Sequence, residues 1–128
     1  MHAVIATTAL PLFLGALLSD WAYSSSYQVQ WLNFSSWLIA GGLVVAGLAL
    51  PWAAASVLAG RAPGHRRGTA YLLMLLATFV IGFLNALVHA RDGWATMPTG
   101  LVLSAVVLVL AAATSVLGLA GLRRRGAP

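Results

Sequence analysis

Apolar residues run along this chain in four long blocks, at 3–22, 36–60, 69–90 and 101–122, with short polar stretches between them. A bilayer core is spanned by about 20 apolar residues in helical conformation, so the pattern predicts four transmembrane helices in a single domain covering 1–128. The first block is interrupted only by Thr7, Thr8, Pro11, Ser19 and Asp20. No Lys or Arg precedes it, and Ser19-Asp20-Trp21-Ala22 is an indifferent cleavage site, which predicts a retained helix rather than a signal peptide. Between the blocks, 23–30 reads as an interfacial loop, and 61–68, with Pro63-Gly64 at its centre, reads as a turn. A further turn covers 91–100. Trp21, Tyr23, Tyr27, Trp31 and Trp37 crowd the first loop as an aromatic belt at headgroup depth.

Within the blocks, the positions that depart from large apolar residues mark the contacts. Gly41, Gly42 and Gly47 in the second block, and Ala111, Ser115 and Gly118 in the fourth, form small-residue faces. Such faces let helix backbones approach where lipid offers no hydrophobic force between them. Pro51 removes a backbone donor from the second helix and predicts a kink. In the third block Asn85, His89 and Asp92 stand at i, i+4 and i+7, one face of a helix, and Thr78 and Gly82 continue that stripe. With Asp20 and Arg91 they make the candidate polar cluster or ligand site. It either fixes how the first and third helices meet or holds a ligand, proton or cofactor, with His89 as base or axial ligand.

Composition sharpens this picture. Hydrophobic residues make up 61% of the chain and charged ones 7%, against about a quarter charged in soluble globules. The net charge is +5, and all seven basic residues are arginine. Their positions argue against a nucleic-acid face: Arg61, Arg66 and Arg67 follow the second block, and Arg123, Arg124 and Arg125 follow the fourth. That is the placing of topology signals and lipid-headgroup contacts. Arginine-rich ends belong in the cytoplasm. The expected fold is therefore an all-α, integral membrane, antiparallel four-helix bundle with both termini cytoplasmic and the polar cluster at the opposite face.

Chemistry is mostly excluded. Without cysteine there is no disulfide, thiolate nucleophile or zinc–thiolate site. No Gly-x-Ser-x-Gly elbow and no phosphate loop with its lysine occurs, so no catalytic residue is assigned and an enzyme acting alone is not expected. A bis-histidine haem needs two histidines at one depth, but His2 and His65 belong to the inner side and His89 to the outer. A pairing of His89 with Met97, or with a residue of a partner protein, is the haem b arrangement left open. Zinc would need His89, Asp92 and Asp20 to converge. No metal site or cofactor is predicted.

Phe13, Gly15-Ala16-Leu17-Leu18, Asp20 and Tyr23, followed by Trp31, Ser36-Trp37-Leu38-Ile39 and Gly41, and then by Asn85 and Arg91, carry a resemblance. In these residues the chain resembles the bacterial four-helix membrane proteins filed as domain of unknown function 2231. The likeness covers nearly the whole length and implies a multi-pass protein of the bacterial inner membrane. Some members of that family are joined to or encoded beside quinoprotein-type dehydrogenase and c-type cytochrome modules. This implies an anchoring or electron-transfer role, with haem or quinone, beside a periplasmic redox protein.

Three functions follow as expectations. The first is a small structural or partner-binding membrane subunit, alone or as a homo-oligomer in the lipid bilayer. The second is a membrane anchor or electron-transfer subunit for a periplasmic dehydrogenase. The third is a small transporter component, against which the apolar character of the third helix above Thr78 counts. Reporter fusions test the topology: a fusion at Gly64 should be active as a cytoplasmic reporter and one at Gln28 as a periplasmic reporter. The reverse pattern would overturn the charge argument.

Overall fold

The computed structural model describes residues 1–62, 64–91 and 93–126, without the side chains of residues 93 and 94. Four helices are long and apolar enough to cross a membrane: α1 (His2–Ser26), α2 (Val29–Leu58), α3 (His65–His89) and α4 (Thr99–Arg125). At 1.5 Å per residue they are about 38 to 45 Å long, which covers a hydrocarbon core of about 30 Å and part of both headgroup layers. A single turn at Gly93–Thr96 precedes α4, and no strand occurs among the described residues.

The helices outrun the apolar blocks because backbone and hydroxyl bonding, rather than hydropathy, sets their ends. The stretch expected as a loop at 23–30 is largely helical. Ser24 donates to Trp21 O at 2.8 Å and Ser26 to Ala22 O at 2.6 Å, so α1 continues through the serines. It stops at Tyr27, whose left-handed backbone (φ 54°, ψ 25°) lets its N–H close on Tyr23 O. Only Tyr27 and Gln28 separate α1 from α2. At Pro11 the missing N–H leaves Thr7 O without its helical donor, and regular bonding lapses once, at Thr8, whose dihedrals stay helical (φ −68°, ψ −16°). Pro51 produces no such lapse, and α2 runs unbroken through it to Leu58.

The end of α2 is a Schellman motif. Gly60, at φ 65°, donates to Val57 O at 3.1 Å, and Arg61 N–H reaches Ser56 O at 2.9 Å.

Buried positions repeat with an average spacing of 3.5. In α2 they are Leu32, Ser35, Ile39, Gly42, Ala46, Ala49 and Ala53. In α3 they are Gly68, Tyr71, Leu75, Thr78, Gly82 and Asn85, followed by Val88 and His89. This is the seam of a helix bundle packed by knobs into holes. Around the bundle α1 lies against α2 and α4, and α3 lies against the same two, so α1 and α3 face each other across the axis.

The interior is small and partly polar, whereas Leu48, Leu73, Val109, Val116 and Trp37 point outward and are exposed. A water-soluble protein places such side chains inside. The inverted order identifies lipid as the solvent of the outer surface, and the protein as a membrane-embedded four-helix bundle.

Small-residue contacts carry the packing. A Cβ on Gly42 would come within 2.6 Å of the Phe13 ring, and one on Gly118 within 2.9 Å of Tyr71. Gly47 faces Phe79 more loosely, at 3.3 Å, and Gly41 meets Leu12 only at 3.6 Å. Ala111 is buried, and buried Ser115 returns its hydroxyl to Ala111 O.

Two neighbouring glycines therefore make a contrast. Gly42→Ala should cost about 1–3 kcal/mol, because the Phe13 ring is enclosed and cannot yield freely. Gly41→Ala should be nearly neutral. Unfolding by SDS titration in mixed micelles measures both, and equal effects would contradict the packing described.

Candidate functional site

Near the ends of α1 and α3 remote from the paired arginine groups, one polar side chain from each of the four helices turns to the bundle axis. Asp20 comes from α1, Ser35 from α2, His89 from α3 and Ser104 from α4, with Asn85 one turn before His89. All five are buried, and Asp20 and Ser35 are wholly so (0% exposed). Their positions follow from the 3.5-residue seam. Ser35 and Ser104 occupy seam positions on their helices, and Asn85 and His89 are four apart on theirs.

The bonds form a closed set. His89 Nε2 lies 2.8 Å from Asp20 Oδ1, across the bundle diagonal. His89 Nδ1 lies 2.9 Å from Asn85 O. A carbonyl oxygen can only accept, so Nδ1 carries a proton. Ser104 donates its hydroxyl to Asp20 Oδ2 and accepts from Asn85 Nδ2 at 2.9 Å. Ser35 donates to Ala16 O at 3.2 Å, and its oxygen is 3.3 Å from Nε2. With the Ser35 proton directed at Ala16 O, the hydrogen bonds fit an imidazolium–carboxylate pair that is neutral as a unit. Each member is satisfied except Asn85 Oδ1, a buried acceptor with no protein partner. Gly100 makes room for the imidazole: a Cβ there would stand 2.9 Å from His89 Cε1.

Of the residues singled out from sequence, Asp20, Asn85 and His89 come together. Arg91 does not join them. It is exposed, two residues beyond the last helical position, where the chain has turned off the seam. Asp92 lies outside the described residues. The cluster also joins all four helices rather than the first and third alone. Ser35, Gly100 and Ser104 are not among the residues singled out from sequence. The signal that could have found them is the seam itself: positions 32, 35, 39 and 100, 104, 107 keep the spacing of the buried stripes.

Metal and haem ligation find little here. Both nitrogens of His89 already meet oxygen atoms, one a backbone carbonyl and one a carboxylate, so neither presents a lone pair outward. His2 packs on Tyr71, and His65 lies beside Arg124 in a shallow pocket at the far ends of the helices. Among the described residues no three metal-ligating side chains converge. Midway along the axis Thr78 and Thr114 form a smaller pair at 3.2 Å, separated from the cluster by buried Phe13, Gly82 and Val107.

Compared with known proteins, the chain matches no family model, no curated sequence and no solved structure.

Removing either partner of the pair alone should be expensive. Asp20→Ala or His89→Ala leaves a buried, unpaired ionisable group and should cost about 3 kcal/mol or more. Ser104→Ala removes a donor to the Asp20 carboxylate and should cost about 1.5–3 kcal/mol, the scale of a hydrogen bond to a charged group. In a double-mutant cycle the Asp20→Ala/His89→Ala double variant should lose clearly less than the sum of the two single losses. Simple additivity would mean that the pair is not coupled.

Proposed function

We propose that the chain is a small structural or partner-binding subunit of the bacterial inner membrane. In this reading it is an antiparallel bundle with both termini in the cytoplasm, and its Asp20–His89 cluster lies toward the periplasm. The single observation that carries the reading is the closure of that cluster. Its carboxylate, imidazole and hydroxyls bond to one another and to backbone, and they link four helices while staying buried. A catalytic or ligand-binding constellation would present such groups to an opening.

The topology part of the proposal rests on charge. Arg61, Arg66, Arg67, Arg123, Arg124 and Arg125 follow the second and fourth helices, and Arg91 alone follows the third. Membership of the family filed as domain of unknown function 2231 belongs to the same proposal and rests on the run from Phe13 to Gly41, with Asn85 and Arg91. Transport by a single copy is disfavoured by Phe13, Ile39 and Val107, which are almost completely buried along the axis.

A second reading, an anchor or electron-transfer subunit for a periplasmic dehydrogenase, has one observation in its favour. Asn85 Oδ1 is a buried acceptor awaiting a donor, and a bound hydroxyl or quinol could supply one.

Visible absorption and quinone extraction of freshly purified protein separate the two. The structural reading expects no Soret band, no stoichiometric quinone, and a His89→Ala variant whose defect is confined to stability. A Soret band or bound quinone that disappears in His89→Ala or Asn85→Ala would replace the first reading with the second.

A further inference from the structure

At the arginine end, far from the Asp20–His89 cluster, the helix termini enclose a cavity of about 490 Å³. Four arginines line it: Arg61, Arg67, Arg124 and Arg125. Among the described residues that line it there is no acidic side chain, so none of these provides the guanidinium groups with a carboxylate partner there. The local fold holds them together. The Schellman bonds at the end of α2 fix the backbone of Arg61, and Arg125 donates a guanidinium N–H to Arg61 O. Gly68 lets Ala62 fold over the start of α3, since a Cβ at Gly68 would collide with the Ala62 methyl.

A second observation points into the same space. Tyr71, which lines the cavity, is only 6% exposed, and its buried hydroxyl has no hydrogen-bond partner. Neither does buried Nδ1 of His2, whose ring centroid is 5.2 Å from that of Tyr71. Orphaned buried polar atoms are uncommon in native proteins and each calls for a partner. Beyond them the walls turn apolar, with Trp52, Val57 and Leu117.

We propose that this cavity seats a phosphate-bearing anion, with the phosphate oxygens among the arginines and an apolar remainder along the Trp52–Leu117 wall. Planar guanidinium groups accept phosphate in bidentate geometry. The Tyr71 hydroxyl supplies a buried donor to a phosphate oxygen, and the ligand supplies a counter-charge that none of the described side chains lining the cavity supplies. Basic pockets between membrane helices at headgroup depth suit anionic lipid heads, and a free phosphate ester offers the same oxygens without the apolar part. The site is separate from the Asp20–His89 cluster and does not depend on the function proposed for it.

The full chain is tested in phosphatidylcholine nanodiscs into which phosphatidylglycerol is titrated, with retained lipid counted by native mass spectrometry and the melting temperature followed in parallel. The wild type should retain a single phosphatidylglycerol in preference to phosphatidylcholine and gain thermal stability. Tyr71→Phe should weaken that binding about tenfold, the scale of one hydrogen bond to a charged group. Arg67→Gln should weaken it at least as much, and Arg123→Gln, outside the cavity, should leave it unchanged. A monodisperse elution profile verifies the fold of each variant, and exposed Arg67 keeps the test decisive if Tyr71→Phe misfolds. Inorganic phosphate provides the second arm. Retention that persists in millimolar phosphate assigns the ligand to the bilayer, whereas stabilisation by phosphate alone with displacement of the lipid assigns it to a soluble ester. Equal retention of both lipids would overturn the proposal. So would equal losses in Arg67→Gln and Arg123→Gln, because a diffuse surface charge treats all arginines alike.

Discussion

The contact between Asp20 and His89 is the constraint from which the rest of the architecture can be understood. A carboxylate removed from water and surrounded by hydrocarbon is costly, and at the centre of a membrane helix the cost is about 2.5–3.5 kcal/mol even on lenient insertion scales. The chain meets that cost near the end of the bundle with an imidazole brought 2.8 Å away from the diagonally opposite helix. Ser104 holds the second carboxylate oxygen, and Asn85 holds Ser104. Sliding any helix by one turn, about 5.4 Å, would break its part of this set at once. The cluster therefore fixes the register of all four helices, a role distinct from adding net stability, which buried ion pairs often fail to do.

Below the cluster, register is maintained by shape. Gly42 receives the Phe13 ring, Gly82 lies close to Leu43, and Gly118 lies against Tyr71. Ala46, Ala49 and Ala53 keep α2 close to its neighbours. In lipid the attraction between helices comes from dispersion and close backbone approach rather than from expelling water. This is why the most intimate contacts involve the smallest residues. The same principle accounts for the arginine end. There Gly118 packs against Tyr71 and Gly68 against Ala62, and the cavity is lined by these small residues together with Tyr71, His2 and the arginines.

Much of this was legible from the residues. The four apolar blocks specified an all-α membrane bundle, because hydropathy over about 20 residues reports directly on the surrounding solvent. The pairing of Asn85 with His89 followed from helical spacing, and Asp20 drew attention as a carboxylate inside an apolar run. The helix ends were not legible in the same way. Ser24, Ser25 and Ser26 look like loop residues, yet their hydroxyls bond back to α1 carbonyls and prolong it. Ser35 and Ser104 were hidden because serine is common along membrane helices, and only the meeting of two seams distinguishes them. Arg91 was grouped with the cluster by proximity in sequence, but two residues past the end of α3 it is carried off the buried face. The orphaned hydroxyl of Tyr71 had no sequence signal at all.

The inverted distribution of side-chain size has one more consequence. A core in which Phe13, Ile39, Leu75 and Val107 are set among alanine, glycine, serine and threonine withdraws less hydrocarbon than one built of large side chains, so the same seam immersed in water would have a weaker driving force for association. Repainting the outer leucines and valines with charged residues would thus not yield a water-soluble copy of this bundle. The fold is conditional on its solvent, and the bilayer acts as a structural component as much as any of the four helices.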